Sequence, residues 1–406
     1  NGFGNIYTHT SRNIFLDAPG GTVKTSLLNL LLAKLRHIGV IAIAVVSSGT
    51  AFYFQNAFHC NTSRNPNVSH NTFLGRSDNF EKVQIHCLGL ASMSHKCSLQ
   101  ALDNTMRDLR SNNNILGSST LLIAHLQQTV PVIVNRTPAD VLHVQSQVQS
   151  KHLTVNMRSL LHTGQPTTQF SELLLRISNG QITTTYVPTT IDTNSISHTV
   201  SSPNNLCSAV YPNLTTAYTK SNWLHDKCSY LTQSATFSRT LLQISGHRYR
   251  PRSSFTLFNK ISQLHPHKIH LKVGYPIIFL RNLNAPILRN GTRLVDKQMM
   301  DHVIEAQIIM GHGKNDTVFI PEIPLTPADC SYAIQRLQFP LKLSLIMTIN
   351  KVQGQSLKVV GLDLRTSCFS HGQVYVGCTR VGHPENLFIY APEGKTKNVV
   401  YEAALE

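Results

Sequence analysis

The sequence predicts an α/β protein with parallel sheets and a smaller β region in its second half. Three observations carry this. Residues 13–46 run strand, Gly-rich turn, helix, strand, and such a βαβ unit implies a parallel sheet with helices on its faces. Residues 269–295 and 303–324 read instead as short strands with turns at Asn290-Gly291 and His312-Gly313, which marks a small β domain. The length, 406 residues, holds roughly two or three domains of about 150 residues each and is enough to bury real cores.

The elements follow in order. NIFL (13–16) is a short strand. TSLLNLLLAKLR (25–36) sets Leu27, Leu28, Leu31, Leu32 and Leu35 on one helical face. GVIAIAVV (39–46) is a β-rich run closed by Ser47-Ser48-Gly49. Residues 55–79, rich in Asn, Ser and His, form a loop. Residues 98–110 are helical, 119–124 and 130–134 are strands, and 170–177 is a helix. The Thr- and Ser-rich stretch 182–203 reads as a linker or surface excursion, 206–224 as a helix, and 341–364 with 387–390 as a return to α/β patterning. No internal repeat of fixed period is found.

The net charge is +16, from 36 basic and 20 acidic residues, which points to a polyanionic partner, nucleic acid first and an anionic membrane second. The excess arises because acids are scarce: charged residues are 14% of the chain, against about 25% in ordinary proteins. Chemistry that needs carboxylates therefore has few candidates, and the 20 His add charge only below about pH 6.5. At 41% hydrophobic the chain is not broadly disordered, and no apolar run reaches the ~18 residues of a membrane span. The eight Cys form no CxxC pair, so neither a zinc site nor a disulfide scaffold is expected and a reducing compartment is the plain reading. The chain begins at Asn1, so the lack of a targeting signal carries little weight.

The first chemical signal is Ala18-Pro19-Gly20-Gly21-Thr22-Val23-Lys24-Thr25, between a strand and a helix. A phosphate-binding loop reads G-x-x-x-x-G-K-[ST]: backbone N–H groups and the helix N-terminus hold phosphate, the Lys reaches the β and γ phosphates, and the hydroxyl ligates Mg²⁺. Lys24 and Thr25 fit, but Ala18 and Val23 stand where the two signature glycines belong. On its own the segment is either such a loop or a Gly-rich start of a helix. Gln243–Ser254 includes GHRYRPRSS, a basic cluster with one aromatic, read as a solvated loop before a DNA contact. Trp223 reads as core rather than as a base-stacking platform, and the His as surface residues rather than metal ligands.

The second signal is a set of distant blocks: LTVNMR (153–158), HPHKIHLKVGYPIIFLRNLN (265–284), NGTRL (290–294), FPLKLSLIMTINKVQGQSL (339–357) and QVYVGCTRV (373–381). With these the chain, from about Asn13 to its end, closely resembles the Helitron-transposon branch of the petite-integration-frequency-type DNA helicases, a RecD-like group in helicase superfamily one. The resemblance implies two RecA-like P-loop domains: 1–180 with the phosphate loop, a linker or excursion at 181–205, and 206–406 with a small β insertion at about 265–330. It implies an ATP-dependent helicase, with ATP and Mg²⁺ as cofactors, that moves 5′ to 3′ along single-stranded or forked DNA. A monomer in the nucleus, serving repair, recombination and telomere maintenance, is the expectation, with no membrane partner and no small-molecule substrate besides ATP.

Carried over position by position, the resemblance gives Gly20, Gly21, Thr22, Lys24 and Thr25 to nucleotide binding, with Thr25 as the metal ligand. Lys24, Gln128 (the γ-phosphate sensor), Arg158 and Arg380 (which completes the site) form the catalytic set. Ser47, Ser48, Thr348, Lys351, Gln353 and Gly354 go to DNA. The departures are as specific. Where the family has an acidic pair in W-D-E-A-P-M, residues 88–93 read LGLASM, so Gly89 replaces the Mg²⁺-holding Asp and Leu90 the Glu that activates water. GDFRQ has become Ala124-His125-Leu126-Gln127-Gln128, Val352 replaces a Ser, and Gly377-Cys378-Thr379 replaces Ala-Leu-Ser before Arg380. Losing the base forfeits general-base help of about 10²–10⁴ in rate. A helicase and a non-catalytic DNA-binding relic of one therefore both stand as expectations. A small-molecule P-loop kinase is disfavoured by the distal blocks and the basic charge.

Overall fold

The computed structural model describes residues 14–22, 24–46, 84–89, 96–124, 149–153, 156–157, 165–182, 190–213, 227–231, 269, 271–284, 287–309, 313–326 and 335–401. By backbone contacts the chain divides into two units. The first holds residues 1–191, 368–383 and 397–406, and the second holds 192–367 and 384–396.

The first unit is built on strands β1 (Ile14–Asp17), β2 (Ala42–Val46), β3 (Ile85–Gly89), β4 (Thr120–Ala124) and β5 (Gln149–His152), in the order β2-β3-β4-β1-β5, all parallel. Helix α1 (Lys24–His37) returns the chain from β1 to β2. It buries Leu28, Leu32 and Leu35 against Ile14, Leu16, Ile85 and Leu122 of the strands. The spacing of four and three residues puts these leucines on one stripe. Gly39 (φ +81°) stops the helix: its N–H reaches Arg36 O at 3.1 Å and the Val40 N–H reaches Leu35 O at 3.0 Å. That double closure needs a left-handed residue, which glycine adopts without strain. Lys34, Arg36 and His37 in the last turn suit the negative end of the helix dipole. Helices α2 (Lys96–Arg110) and α3 (Gln165–Ser178) follow, and α3 buries Phe170, Leu174 and Ile177. The C-terminal part of the sequence adds α5 (Gln373–Cys378), which contacts α3, and Asn398, whose Nδ2 donates to Ile177 O at 2.9 Å.

The second unit combines two sheets. A parallel sheet has the order β16-β8-β17-β18-β7 and is formed by β7 (His198–Thr199), β8 (Lys227–Leu231), β16 (Ile346–Met347), β17 (Val359–Asp363) and β18 (Leu387–Tyr390). Helix α4 (Pro203–Val210), capped by the Ser202 side chain, packs on β17. An antiparallel sheet, β12-β11-β10-β9-β15, contains β9 (Pro276–Phe279), β10 (Arg293–Met299), β11 (Val303–Ile308), β12 (Thr317–Pro321) and β15 (Leu341–Leu343). Its strands fall at 276–343, where the sequence predicts a small β region at about 265–330. Its β11 alternates partly buried and buried positions, and Ile304, Ala306 and Ile308 point into a core with Ile277, Phe279, Leu294 and Ile320. A hairpin of β13 (Ile323–Leu325) and β14 (Arg336–Gln338) completes the unit.

Several expectations shift. Residues 181–205 are structured where described: β6 (Thr190–Asp192) and β7 form there, and Ile191, Thr193 and Ile196 are buried. Composition misled because Thr and Ser sit as readily on an edge strand as in a loop. The helix read over 206–224 is described only as α4, 203–210, and α3 begins five residues before the predicted 170. Residues 368–383 and 397–401 belong by contacts to the first unit although they follow the second-domain motifs in sequence. The strand expected at 130–134, the loop at 55–79, Trp223 and the GHRYRPRSS cluster lie outside the described residues. Among the described residues no helix is long and apolar enough to cross a membrane.

Candidate functional site

In open parallel sheets ligands bind beyond the carboxyl ends of the strands. The loop Ala18–Thr22 leaves β1 at that edge and leads to α1, whose first residue is Lys24. Its neighbours at the edge follow from register. Phe15 pairs with Ile123 and Ile123 with Leu88, so Leu16, Ala124 and Gly89 share the next row. Gly89 is thus the last residue of β3, level with the ends of β4 and β1. The strand end where the resemblance expects a metal-holding carboxylate carries no side chain at all.

The loop itself is tightly held. Thr22 Oγ1 donates to Pro19 O at 2.8 Å. The Lys24 ammonium turns back onto the loop, donating to Ala18 O and, at 2.9 Å, to Pro19 O. The Gly20 N–H donates to the Tyr375 hydroxyl at 2.6 Å. Gly20 also has no room for a side chain, since a Cβ there would meet Thr379 Cβ at 2.9 Å. Gly21 has φ +95°, and a Cβ on it would press into the Asn156 amide, 2.9 Å from its Cγ. Asn156 is fixed in turn by donating from Nδ2 to Ser171 Oγ at 3.0 Å on α3. Beside Gly20 a shallow recess is lined by Asn156, Phe170, Ser171, Leu174 and Thr379.

Arg380 follows α5 and is 2% exposed. Its Nε donates to Val376 O at 2.8 Å and its Nη2 to Thr379 Oγ1 at 2.7 Å. The structure therefore brings Gly20, Gly21, Thr22, Lys24 and the Thr379-Arg380 step into one unit. Thr25 lies in the first turn of α1. Gln128, Arg158, Ser47, Ser48, Val23, Leu90, His125 and Gln127 fall outside the described residues. Sequence reasoning did not single out Tyr375 or Asn156, and named Thr379 only as a departure before Arg380. All three lie inside quoted blocks, and the signal available was their position beside Arg380 and Arg158.

The fit to a nucleotide and to its metal differs. The loop already holds one oxygen, the Tyr375 phenol, on a backbone N–H between strand and helix, so a phosphate oxygen suits the same donors. For Mg²⁺ the residues present do not fit. Gly89 and Leu90 supply no side-chain oxygen, and among the described residues no group of three His, Cys, Asp or Glu could hold a metal. Asp103 does not compensate, because its carboxylate accepts from the Leu116 N–H at 2.6 Å and from Arg107 Nε at 3.0 Å; Asp108 is exposed on α2.

The second-unit motif forms a short turn after β16. Thr348, Lys351 and Gly354 are exposed, with the Lys351 N–H bonded to Thr348 O at 2.9 Å. Gln353 departs from the expected DNA-facing role: it is 1% exposed, because the 3-10 turn over Ile349–Val352 sends Ile349, Val352 and Gln353 inward. The Lys351 ammonium is held below the usual lysine range, first by desolvation and then by Lys342, whose own is also lowered by desolvation. An anion beside Lys351 would favour its protonated form. Lys342, on the outward face of β15 between buried Leu341 and Leu343, was not foreseen from sequence.

Known proteins are similar to this chain in sequence and fold. Residues 3–187 match the PIF1-like helicase family, and residues 258–298 match the 2B domain of DNA helicase Pif1. The ATP-dependent DNA helicase Pif1 of Campylobacter jejuni is 29% identical over 133 residues, 30% of each chain. The ATP-dependent DNA helicase PIF6 of Trypanosoma brucei is 26% identical over 129 residues, 30% of this chain and 16% of that one. The matched stretches thus span under a third of either relative's length. Among solved structures, the Pif1 helicase from Candida albicans superposes with a TM-score of 0.66 at 18% identity, covering 97% of this chain and 94% of that one. A Bacteroides Pif1 helicase in complex with ADP-AlF3 and ssDNA gives 0.65 at 17% identity, covering 97% and 92%. These likenesses establish the fold as two RecA-like domains with parallel sheets.

Proposed function

Since the chain belongs to the Pif1-type helicases of superfamily one, we propose that it binds ATP at the Ala18–Thr25 loop and single-stranded or forked DNA, as a 5′ to 3′ DNA helicase of the transposon type does, but that its own turnover is lost or far reduced. The nucleotide part rests on one observation: the loop after β1 presents a side-chain-free backbone at Gly20 and Gly21 and an N–H that holds an oxygen at 2.6 Å. The DNA part rests on the +16 charge and the exposed Thr348, Lys351 and Gly354 beside Lys342. Phosphate contacts of this kind are sequence-tolerant and salt-sensitive. A monomer in the nucleus, with roles in repair, recombination and telomere maintenance and descent from a Helitron, completes the reading by resemblance.

The second reading, a non-catalytic DNA-binding relic, is favoured by Gly89 at the end of β3. Without that carboxylate, and without a base at Leu90, the motif positions that would anchor Mg²⁺ and accept the attacking water's proton are reduced to Thr25. An ATPase assay with single-stranded DNA decides between the two, run on this chain and on the triple variant Val23→Gly, Gly89→Asp, Leu90→Glu. The expected outcome is no DNA-stimulated hydrolysis by the unaltered chain and a gain by the variant. Robust turnover by the unaltered chain would overturn the loss. An inert variant would show that His125 and Gln127 also block the motor, or that the motif register is wrong.

A further inference from the structure

We propose that Tyr375 is a positioning residue that latches the phosphate loop shut, its phenol oxygen holding the Gly20 N–H until a phosphate oxygen takes that place. The proposal rests on the reading of Ala18–Thr25 as a nucleotide site. At 2.6 Å the contact is shorter than the usual 2.9–3.0 Å of an N–H···O bond. Tyr375 is 1% exposed, so no water competes for the contact from outside. The same segment makes a second contact one residue beyond α5, where Thr379 fills the space a Gly20 side chain would need. The loop's cation is also occupied, since Lys24 donates to Ala18 O and Pro19 O.

The loop is therefore satisfied from within, with a phenol oxygen in place of an external acceptor and its own carbonyls in place of anions. A nucleotide has to exchange one neutral hydrogen bond for its own, which weakens its apparent affinity by about 5-fold. Release of Tyr375 also acts on the helix that holds Arg380, because Arg380 is tied to Val376 O and Thr379 Oγ1 on that turn. Loop occupancy and the freedom of Arg380 are thus coupled through α5.

Tyr375→Phe removes the oxygen and keeps the ring, so the buried packing survives. In the nucleotide-free protein, amide hydrogen exchange of a peptide covering the loop should quicken in the variant; unchanged exchange overturns the latch. Titration with the non-hydrolysable analogue AMP-PNP should show about 5-fold tighter binding to the variant. Merely structural damage would weaken binding, so equal or weaker affinity in the variant overturns the competition between Tyr375 and phosphate. If exchange quickens but neither protein binds AMP-PNP, the latch stands and the nucleotide reading of the loop falls.

Discussion

Gly21 carries a double constraint at the residue scale: its φ of +95° excludes an ordinary side chain, and the Asn156 amide occupies the space a Cβ would take. Gly21→Ala is expected to destabilise the first unit by about 1–3 kcal/mol, of which roughly 1–2 is the left-handed backbone and the rest the clash. Urea melts of Gly21→Ala and of Gly21→Ala with Asn156→Ala test this; the second change should recover part of the loss and leave the backbone part. At Lys342, replacement by Ala should lower the slope of log affinity for single-stranded DNA against log salt by about 1, as should Lys351→Ala. Titrations at several salt concentrations measure it, and an unchanged slope would remove Lys342 from the DNA surface. The individual site residues were legible to different degrees. Lys24 and Thr25 announce themselves through motif chemistry, and Arg380 through a distant block. Tyr375 and Asn156 do not, because their importance lies in whom they touch across the fold, and a linear motif carries no such information. Gln353 shows the converse, a motif residue that the turn geometry buries.

At the scale of elements, periodicity was enough where a stripe faces one core. The leucines of α1 read correctly because that helix has one buried side. The stretch 181–205 did not, since β6 and β7 are two or three residues long and their polar Thr and Ser give no period. The contact of α4 with β17 was equally hidden, as it depends on a missing side chain. A Cβ at Gly361 would lie 2.6 Å from Val210 Cγ2 and 3.0 Å from Leu206 Cδ1. Helix and sheet approach that closely only over glycine. Gly361→Ala should therefore cost the second unit roughly 1–3 kcal/mol through overpacking. Gly361→Ala combined with Val210→Ala should recover part of this in denaturant melts; full stability of the single variant would mean α4 has slack to move away.

At the scale of the whole molecule, the two units answer acid in opposite directions. In the first unit His86 and His371 have pKa values pushed down from 6.5 to about 4, His86 by burial and then by Arg110, His371 by burial. A depressed His binds fewer protons folded than unfolded, so its stabilising contribution is complete above pH 6.5 and is lost as pH falls toward 4. In the second unit burial raises Asp296 from 3.8 to about 6, with neither carboxylate oxygen hydrogen-bonded. A raised Asp binds more protons folded, so its contribution is present below about pH 3.8 and is lost as pH rises through 6. One pKa unit is worth about 1.4 kcal/mol, so Asp296 costs the second unit on the order of 3 kcal/mol at neutral pH, and each His costs the first unit on the order of 3 kcal/mol at pH 4. Among the described residues the two histidines outweigh the one aspartate, and these groups together weaken the fold between pH 6.5 and 4. Urea melts at pH 7.5, 5.5 and 4 separate the contributions. Asp296→Asn should be more stable than the unaltered chain at pH 7.5, with the gap closing by pH 4. His86→Leu should lose less stability than the unaltered chain over the same fall. A constant gap for Asp296→Asn at all three pH values would mean that the carboxyl is not held protonated by burial, and would return the acid response to the histidines alone.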